Sequence, residues 1–205
     1  MALDASEDMI REVWPGDTVG RQAFRGDWLS MPFEDGSFDL VLSDCGLTPL
    51  VGAGLLETLG DEMRRVLRPE GRVVMRHFAS GDWVAALPVL RVLAQKGQVV
   101  GFHEFKLRLL MAVDAELDEE GVPLGYIWER FQQEFPDRRE LARQLGVDAT
   151  EVDTIDAYRG KMVRYAFPPV DQLARRFTGF EVRLGPAGRY GFAEACPVFS
   201  MIPVS

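Results

Sequence analysis

A chain of 205 residues that is 47% hydrophobic, 27% charged and 10% aromatic can bury one sizeable core, which argues against a disordered, collagen-like or low-complexity protein. Its 23 Lys and Arg stand against 32 Asp and Glu, and a net charge of -9 disfavours any partner held mainly through phosphate, nucleic acid included. The two cysteines, Cys45 and Cys196, have neither zinc-module nor disulfide-framework spacing, the start lacks a signal peptide, and no apolar run approaches the roughly 20 residues of a membrane helix. The expectation is a soluble cytoplasmic protein with no metal site and no membrane partner.

The first 80 residues alternate short strands and helices. Ala2 and Leu3 end at Asp4 like a buried strand, Ser6 to Trp14 form a short helix closed by Pro15-Gly16, and Gln22 to Arg25 is a second strand stopping at Gly26-Asp27. Phe38 to Ser43 is β-rich and mostly apolar, as a strand covered on both faces should be. Leu55, Leu56, Leu59, Met63, Val66 and Leu67 share a helical face, Pro69-Glu70-Gly71 stops that helix, and Arg72 to Phe78 returns as a parallel strand. From about 82 to 160 the spacing predicts helices without a good strand: Phe102, Phe105, Leu109, Val113 and Leu117 in one, Ile127, Phe131 and Phe135 in the next, with Pro123 in its first turn. Asp137 with Glu140 and Asp148 with Glu151 have capping-box spacing for two more. A helix from Pro168-Pro169 to Phe177 and strands over Phe180 to Leu184 and Cys196 to Val204 complete one α/β domain with a helical lid inserted at 82-160.

An acidic side chain directly after a buried parallel strand can accept hydrogen bonds from both hydroxyls of a ribose, which is how Asp4 is placed, although Asp4 or Ser6 would equally cap the helix that follows. Asp27 at the next strand end can accept from an adenine amino group. Together the two describe an adenosine site. Candidate bases are Asp44 and His77 near strand ends, with His103 and Tyr158 in the insertion; His77 also suits an ordinary hydrogen-bonded histidine. The aromatic residues of the insertion either line an acceptor pocket or form its core, and Arg159, Lys161 and Arg164 either meet a carboxylate or face solvent.

Asp4-x-Ser6-x-x-Met9, then Gly26-Asp27-Trp28-x-x-x-Pro32-Phe33-x-Asp35-x-Ser37-Phe38-Asp39-x-Val41, then Glu62-x-x-Arg65-Val66-Leu67-Arg68-Pro69-x-Gly71 resemble the class I S-adenosylmethionine-dependent methyltransferases over about residues 1 to 80. The resemblance implies a Rossmann-like, mostly parallel sheet with the helical insertion after the strand ending near Phe78. It also implies S-adenosyl-L-methionine as cofactor, held by Asp4, Ala5, Ser6, Met9, Asp27, Trp28, Ser43 and Asp44, with Asp44 and His77 as catalytic candidates and a small organic molecule as methyl acceptor. A homodimer is the assembly considered. The family's first strand and Gly-rich turn have no counterpart, so either residues upstream of Met1 belong to the natural protein, which is the expectation, or the chain is a degenerate relative; without that strand, two backbone edges in the middle of the sheet would lack partners. The alternatives are a non-catalytic methyltransferase-like binding module and a nicotinamide-dependent oxidoreductase.

Overall fold

In the computed structural model, which describes residues 1–117, 120–186 and 188–204, the chain builds three small sheets and two hydrophobic cores. Strand β1 (Ala2–Asp4) leads through helix α1 (Glu7–Glu12) to β2 (Ala23–Arg25), and β1 and β2 pair in parallel. Strand β3 (Phe38–Asp44), helix α2 (Leu55–Val66) and strand β4 (Leu67–Arg76) form the expected parallel crossover unit. Helices α3 (Leu87–Gln95), α4 (Gly101–Asp114), α5 (Leu124–Glu134), α6 (Arg138–Leu145) and α7 (Ala149–Asp153) follow, and a two-residue hairpin of β5 (Val122–Pro123) and β6 (Arg164–Tyr165) brackets the last three. Helix α8 (Val170–Arg176) and strands β7 (Phe180–Leu184) and β8 (Val198–Pro203) close the chain.

The sheets are mixed, which corrects the mostly parallel arrangement. The largest has the order β3-β4-β8-β7, and β8 runs antiparallel to both neighbours. The β7–β8 pair is a hairpin-type return and inserts beside β4 without a crossover helix, so it has no reason to be parallel. Pro69 does not stop α2 either. The helix ends at Val66, and β4 runs on through Pro69. Leu67 and Arg72 pair with Phe38 and Leu40, so five residues of β4 pass two of β3 and the extra ones bulge out around Pro69–Gly71. A Cβ on Gly71 would lie 3.1 Å from the Phe38 carbonyl oxygen and 3.0 Å from that of Arg68, so the bulge admits only glycine without a shift.

One core packs α2 and α8 on the sheet through Leu59, Met63, Val73, Met75, Phe177 and Phe199. The other lies among α3 to α7 and centres on Phe105, Phe131 and Ile127. The rings of Phe105 and Phe135 meet edge to face, their centres 4.9 Å apart. The aromatic residues of this region are therefore mostly its own core. Asp137 caps α6 by accepting from the Glu140 amide at 2.9 Å, as spaced; Asp148 caps α7 through Thr150 and not through residue 151.

The Glu62-x-x-Arg65 motif has a structural task. The Arg65 guanidinium bonds the Glu62 carboxylate on its own helix, the Asp35 carboxylate, and the carbonyls of Phe33 and Met31, while Glu62 accepts from the Met31 amide at 2.7 Å. Helix α2 thereby holds the 31–35 loop in place at the start of β3, and Arg68 pairs with Asp39 beside it. Arg65 supplies the planar fork that satisfies several oxygens at once.

Asp114, the last residue of α4, accepts from the Phe167 amide at 3.2 Å, and burial pushes its carboxyl up to about 6, only partly offset by that bond and by Arg164. The folded chain therefore holds this proton more tightly than the unfolded chain, whose ordinary value is 3.8. Its stabilising contribution is full below about pH 4 and is lost as pH rises through about 6. Asp114→Asn keeps the acceptor oxygen and removes the charge. The melting temperature of the variant minus that of the parent should climb between pH 4 and 6 and level off above; a difference independent of pH would refute the assignment.

Candidate active site

Strands β1 and β3 stand on either side of a cleft of about 770 Å³. Alternate residues of a parallel strand turn their amide groups to the same neighbour. Ala2 and Asp4 bond the β2 side, through Gln22 and Gly26, so Leu3 turns its carbonyl away from β2. The Trp28 indole N–H donates to that carbonyl at 2.8 Å. A Cβ on Gly46 would come within 2.9 Å of the far edge of the same ring, so the indole spans from β1 to the turn after β3 and only a glycine leaves it room. The cleft is otherwise walled by Met9, Met31, Phe33 and the apolar residues of β3.

Asp4 lines the cleft at the C-terminal end of β1, where its Oδ1 accepts from the Ser6 amide at 2.7 Å. Ser6 in turn caps α1, accepting from the Met9 amide at 3.3 Å. The capping task expected of these two residues is thus performed, and among the described residues the second oxygen of Asp4 has no protein partner. Ser6, Met9, Trp28, Ser43 and Asp44 share the cleft with Asp4. Ala5 and Asp27 are not among its lining residues. Asp27 is exposed just past the end of β2, and its carboxylate accepts from the Leu29 amide at 2.9 Å, a local turn bond.

Asp44 and Arg76 meet in a two-pronged pair, Nε to Oδ1 at 2.8 Å and Nη2 to Oδ2 at 2.7 Å. The Arg76 guanidinium holds the Asp44 carboxyl below the usual carboxylate range, which makes it a weak base. His77 is 1% exposed and lines neither this cleft nor the cavity described next. Burial pushes it down to about 4, so its ring is neutral near pH 7, and its Nδ1 is buried without a hydrogen bond. An inaccessible ring of this kind is poorly placed for acid–base work.

A second cavity of about 760 Å³ joins the cleft at Cys45, Thr48 and Tyr165, which line both. Helix α4 presents His103, Lys106, Leu107 and Leu110 to it, one face at helical spacing. Phe78, Phe167, Tyr158, Tyr190 and Phe192 complete an aromatic wall. Glu104 is committed to Arg108 at 2.8 Å. Lys106 has no ion pair among the described residues; its ammonium lies 5.8 Å from the Phe102 ring centre and 5.5 Å from that of Tyr158, and burial lowers its proton affinity. Burial also pushes the Tyr158 hydroxyl up to about 12. The sequence singles out His103, Tyr158 and the 188–192 loop that carries Tyr190, but not Lys106 or Tyr165; three- and four-residue steps from His103 reach Lys106, Leu107 and Leu110. Of the cluster at 159–164, Arg159 stacks on Trp128 at 4.7 Å and lies 3.7 Å from the Asp156 carboxylate, and Arg164 bonds the Gly121 carbonyl. Among the described residues no group of three His, Cys, Asp or Glu could hold a metal, and no helix is long and apolar enough to cross a membrane.

Open α/β sheets hold nucleotides outside the carboxyl ends of their strands, and the cleft at the carboxyl end of β1, rimmed by Asp4, lies at such a place. Residues 1–75 match the methyltransferase domain family. The demethylmenaquinone methyltransferase of Corynebacterium urealyticum is 31% identical over 127 residues, 61% of this chain and 47% of that protein. The chain spans about half the length of the curated relatives it matches in this way. Among solved structures, a Rhodobacter sphaeroides protein described as a zinc-dependent alcohol dehydrogenase superposes with a TM-score of 0.52 at 12% identity, covering 99% of this chain and 75% of that one. A chain of the complex between the Haloferax volcanii Trm112 methyltransferase activator and a methyltransferase gives 0.50 at 12% identity, covering 99% and 71%. At such identities the likeness is one of fold alone.

Proposed function

We propose that this chain binds S-adenosyl-L-methionine in the cleft between β1 and β3 and serves methyl transfer to a small, largely apolar molecule held in the second cavity. The observation that carries the reading is the meeting of the two cavities at Cys45, Thr48 and Tyr165, beside the end of β3. The residues present fit the cofactor: the free oxygen of Asp4 suits a ribose hydroxyl, the Trp28 and Met9 side chains suit the purine, and Ser43 with Asp44 offers acceptors for an amino group. Asp27, outside the cleft lining, is assigned the adenine amino group only secondarily, and Ala5 contributes through its place between Asp4 and Ser6. When bound, the cofactor supplies a sulfonium methyl open to direct displacement. The chain's own part is alignment and exclusion of water, which the α3–α7 region serves as a lid. No general base is assigned to His77; Asp44 is assigned to binding.

The relatives' name, demethylmenaquinone methyltransferase, favours an apolar ring as acceptor, and the aromatic wall of the second cavity suits one. Lys106, which has no ion pair among the described residues and lies in a largely apolar wall, favours an acceptor that carries an ionised oxygen. A second reading, a non-catalytic binding module, is favoured by Leu40 and Leu42, which leave one face of β3 exposed, Leu42 at 70%. Isothermal titration with S-adenosylmethionine separates the two. Saturable binding, absent with a nicotinamide dinucleotide, supports the enzyme; a folded chain that takes up none supports the module.

A further inference from the structure

Where the two cavities meet, the chain's two cysteines stand side by side. Cys45 follows β3 and Cys196 precedes β8, 151 positions apart in sequence, yet their Sγ atoms are 3.4 Å apart and both are free thiols. The sheet fixes that proximity. The Cys45 amide donates to the Arg76 carbonyl at 2.9 Å, and the residue after Cys196, Pro197, accepts from the His77 amide at 3.4 Å, so both thiols are clipped to the same end of β4. Cys45 adopts a left-handed backbone, φ 56°, which a non-glycine residue holds only where its surroundings enforce it. Cys196 is 3% exposed, whereas Cys45 is partly exposed and lines both cavities. The thiol hydrogen bond from Cys45, helped by Tyr190 and Arg76, lowers the Cys196 thiol below its ordinary range, so Cys196 is the more readily ionised of the two.

We propose that Cys45 and Cys196 form a reversible disulfide when the protein meets a small hydroperoxide, and that the bridge locks the wall between the two cavities. The Cys196 sulfur attacks one peroxide oxygen, the O–O bond breaks, and the other oxygen leaves as hydroxide or alkoxide, giving a sulfenic acid. The Cys45 sulfur then displaces the sulfenic oxygen, which departs as water after taking up a proton. In sum, two thiols and one hydroperoxide yield a disulfide, one water and one alcohol, or two waters from hydrogen peroxide. The sulfurs must close by roughly 1.4 Å to reach bonding distance, within what a turn residue and a strand-end residue can supply. The bridge ties the turn carrying Cys45 and Thr48 to the segment carrying Tyr190 and Phe192, all four of which line the second cavity. The inference is independent of what occupies either cavity.

The test is brief exposure of the whole purified chain to hydrogen peroxide, followed by thiol titration, intact mass and thermal melting with and without dithiothreitol. Because the chain has only two cysteines, the bridge shows as loss of both titratable thiols together with the mass of two hydrogen atoms in a monomer. The melting temperature should rise by about 5 °C or more, reversibly, as a long closed loop would give. Cys45→Ser and Cys196→Ser should each abolish the mass loss and the melting shift. A monomer that keeps two titratable thiols, or that gains oxygen without losing hydrogen, overturns the proposal, and so does a disulfide formed only between molecules.

Discussion

Replacing Phe105 with Ala should cost the fold about 3–5 kcal/mol, the usual toll for deleting a buried phenyl ring, and lower the melting temperature by about 10 °C or more. Phe105 is fully buried on α4, stacks beside Phe102 at 5.9 Å, and meets both Phe131 and Phe135 edge to face. No neighbour can collapse into the space without abandoning another of these ring contacts. Helix α4 also carries His103, Lys106, Leu107 and Leu110 on the face toward the second cavity, so loosening its packing loosens one cavity wall. Differential scanning calorimetry reads the loss directly. Phe105→Leu should lose markedly less, and equal losses for the two variants would mean that ring packing is not what holds this core.

The second large effect concerns Asp4. On the proposed reading its free oxygen accepts from a ribose hydroxyl, and a charge-assisted hydrogen bond of that kind is worth about 1.5–3 kcal/mol. Asp4→Ala should therefore weaken S-adenosylmethionine roughly 10- to 150-fold in a titration. The same substitution removes the Ser6 turn bond at the exposed start of a six-residue helix, so the melting temperature should move little. Loss of affinity with an unchanged melt supports the ribose role. An unchanged affinity would leave Asp4 as a turn residue and nothing more.

Much of the first 80 residues was legible because its signals are local. Asp4 after two apolar residues, the apolar face of α2 and the β-rich run from Phe38 each announce an element without reference to distant partners. The β7–β8 pairing was not legible: nothing in Val198 to Pro203 specifies that β4 is its neighbour, and only the assembled sheet reveals the antiparallel insertion. His77 illustrates a signal that was present but unread. Val73, Met75 and His77 alternate along one line of the chain and all are buried, so a period of two carried past the end of β4 places the histidine inside. For Asp44 the missing information was its neighbour: Asp44 and Arg76 are in register on adjacent strands, and the cation that makes the carboxylate a poor base lies 32 positions away in sequence. Glu62 and Arg65 were read as a family motif, and their bonds to residues 31–35 give that motif a mechanical reason.

The sheet also accounts for the form of the cleft. The cleft lies between the β1–β2 pair and a separate sheet that begins at β3. The Trp28 indole answers one of the open carbonyls. A ring that contacts both sides of the cleft is well placed to report on whatever enters.

The most direct measurement is a nitrogen-15 NMR titration of the folded chain with S-adenosylmethionine. The account predicts saturable shifts concentrated at residues 4–9, at the Trp28 indole N–H and at residues 43–46, with the Phe131 core unmoved. Shifts that fail to saturate, or that gather away from the β1–β3 cleft, would contradict it.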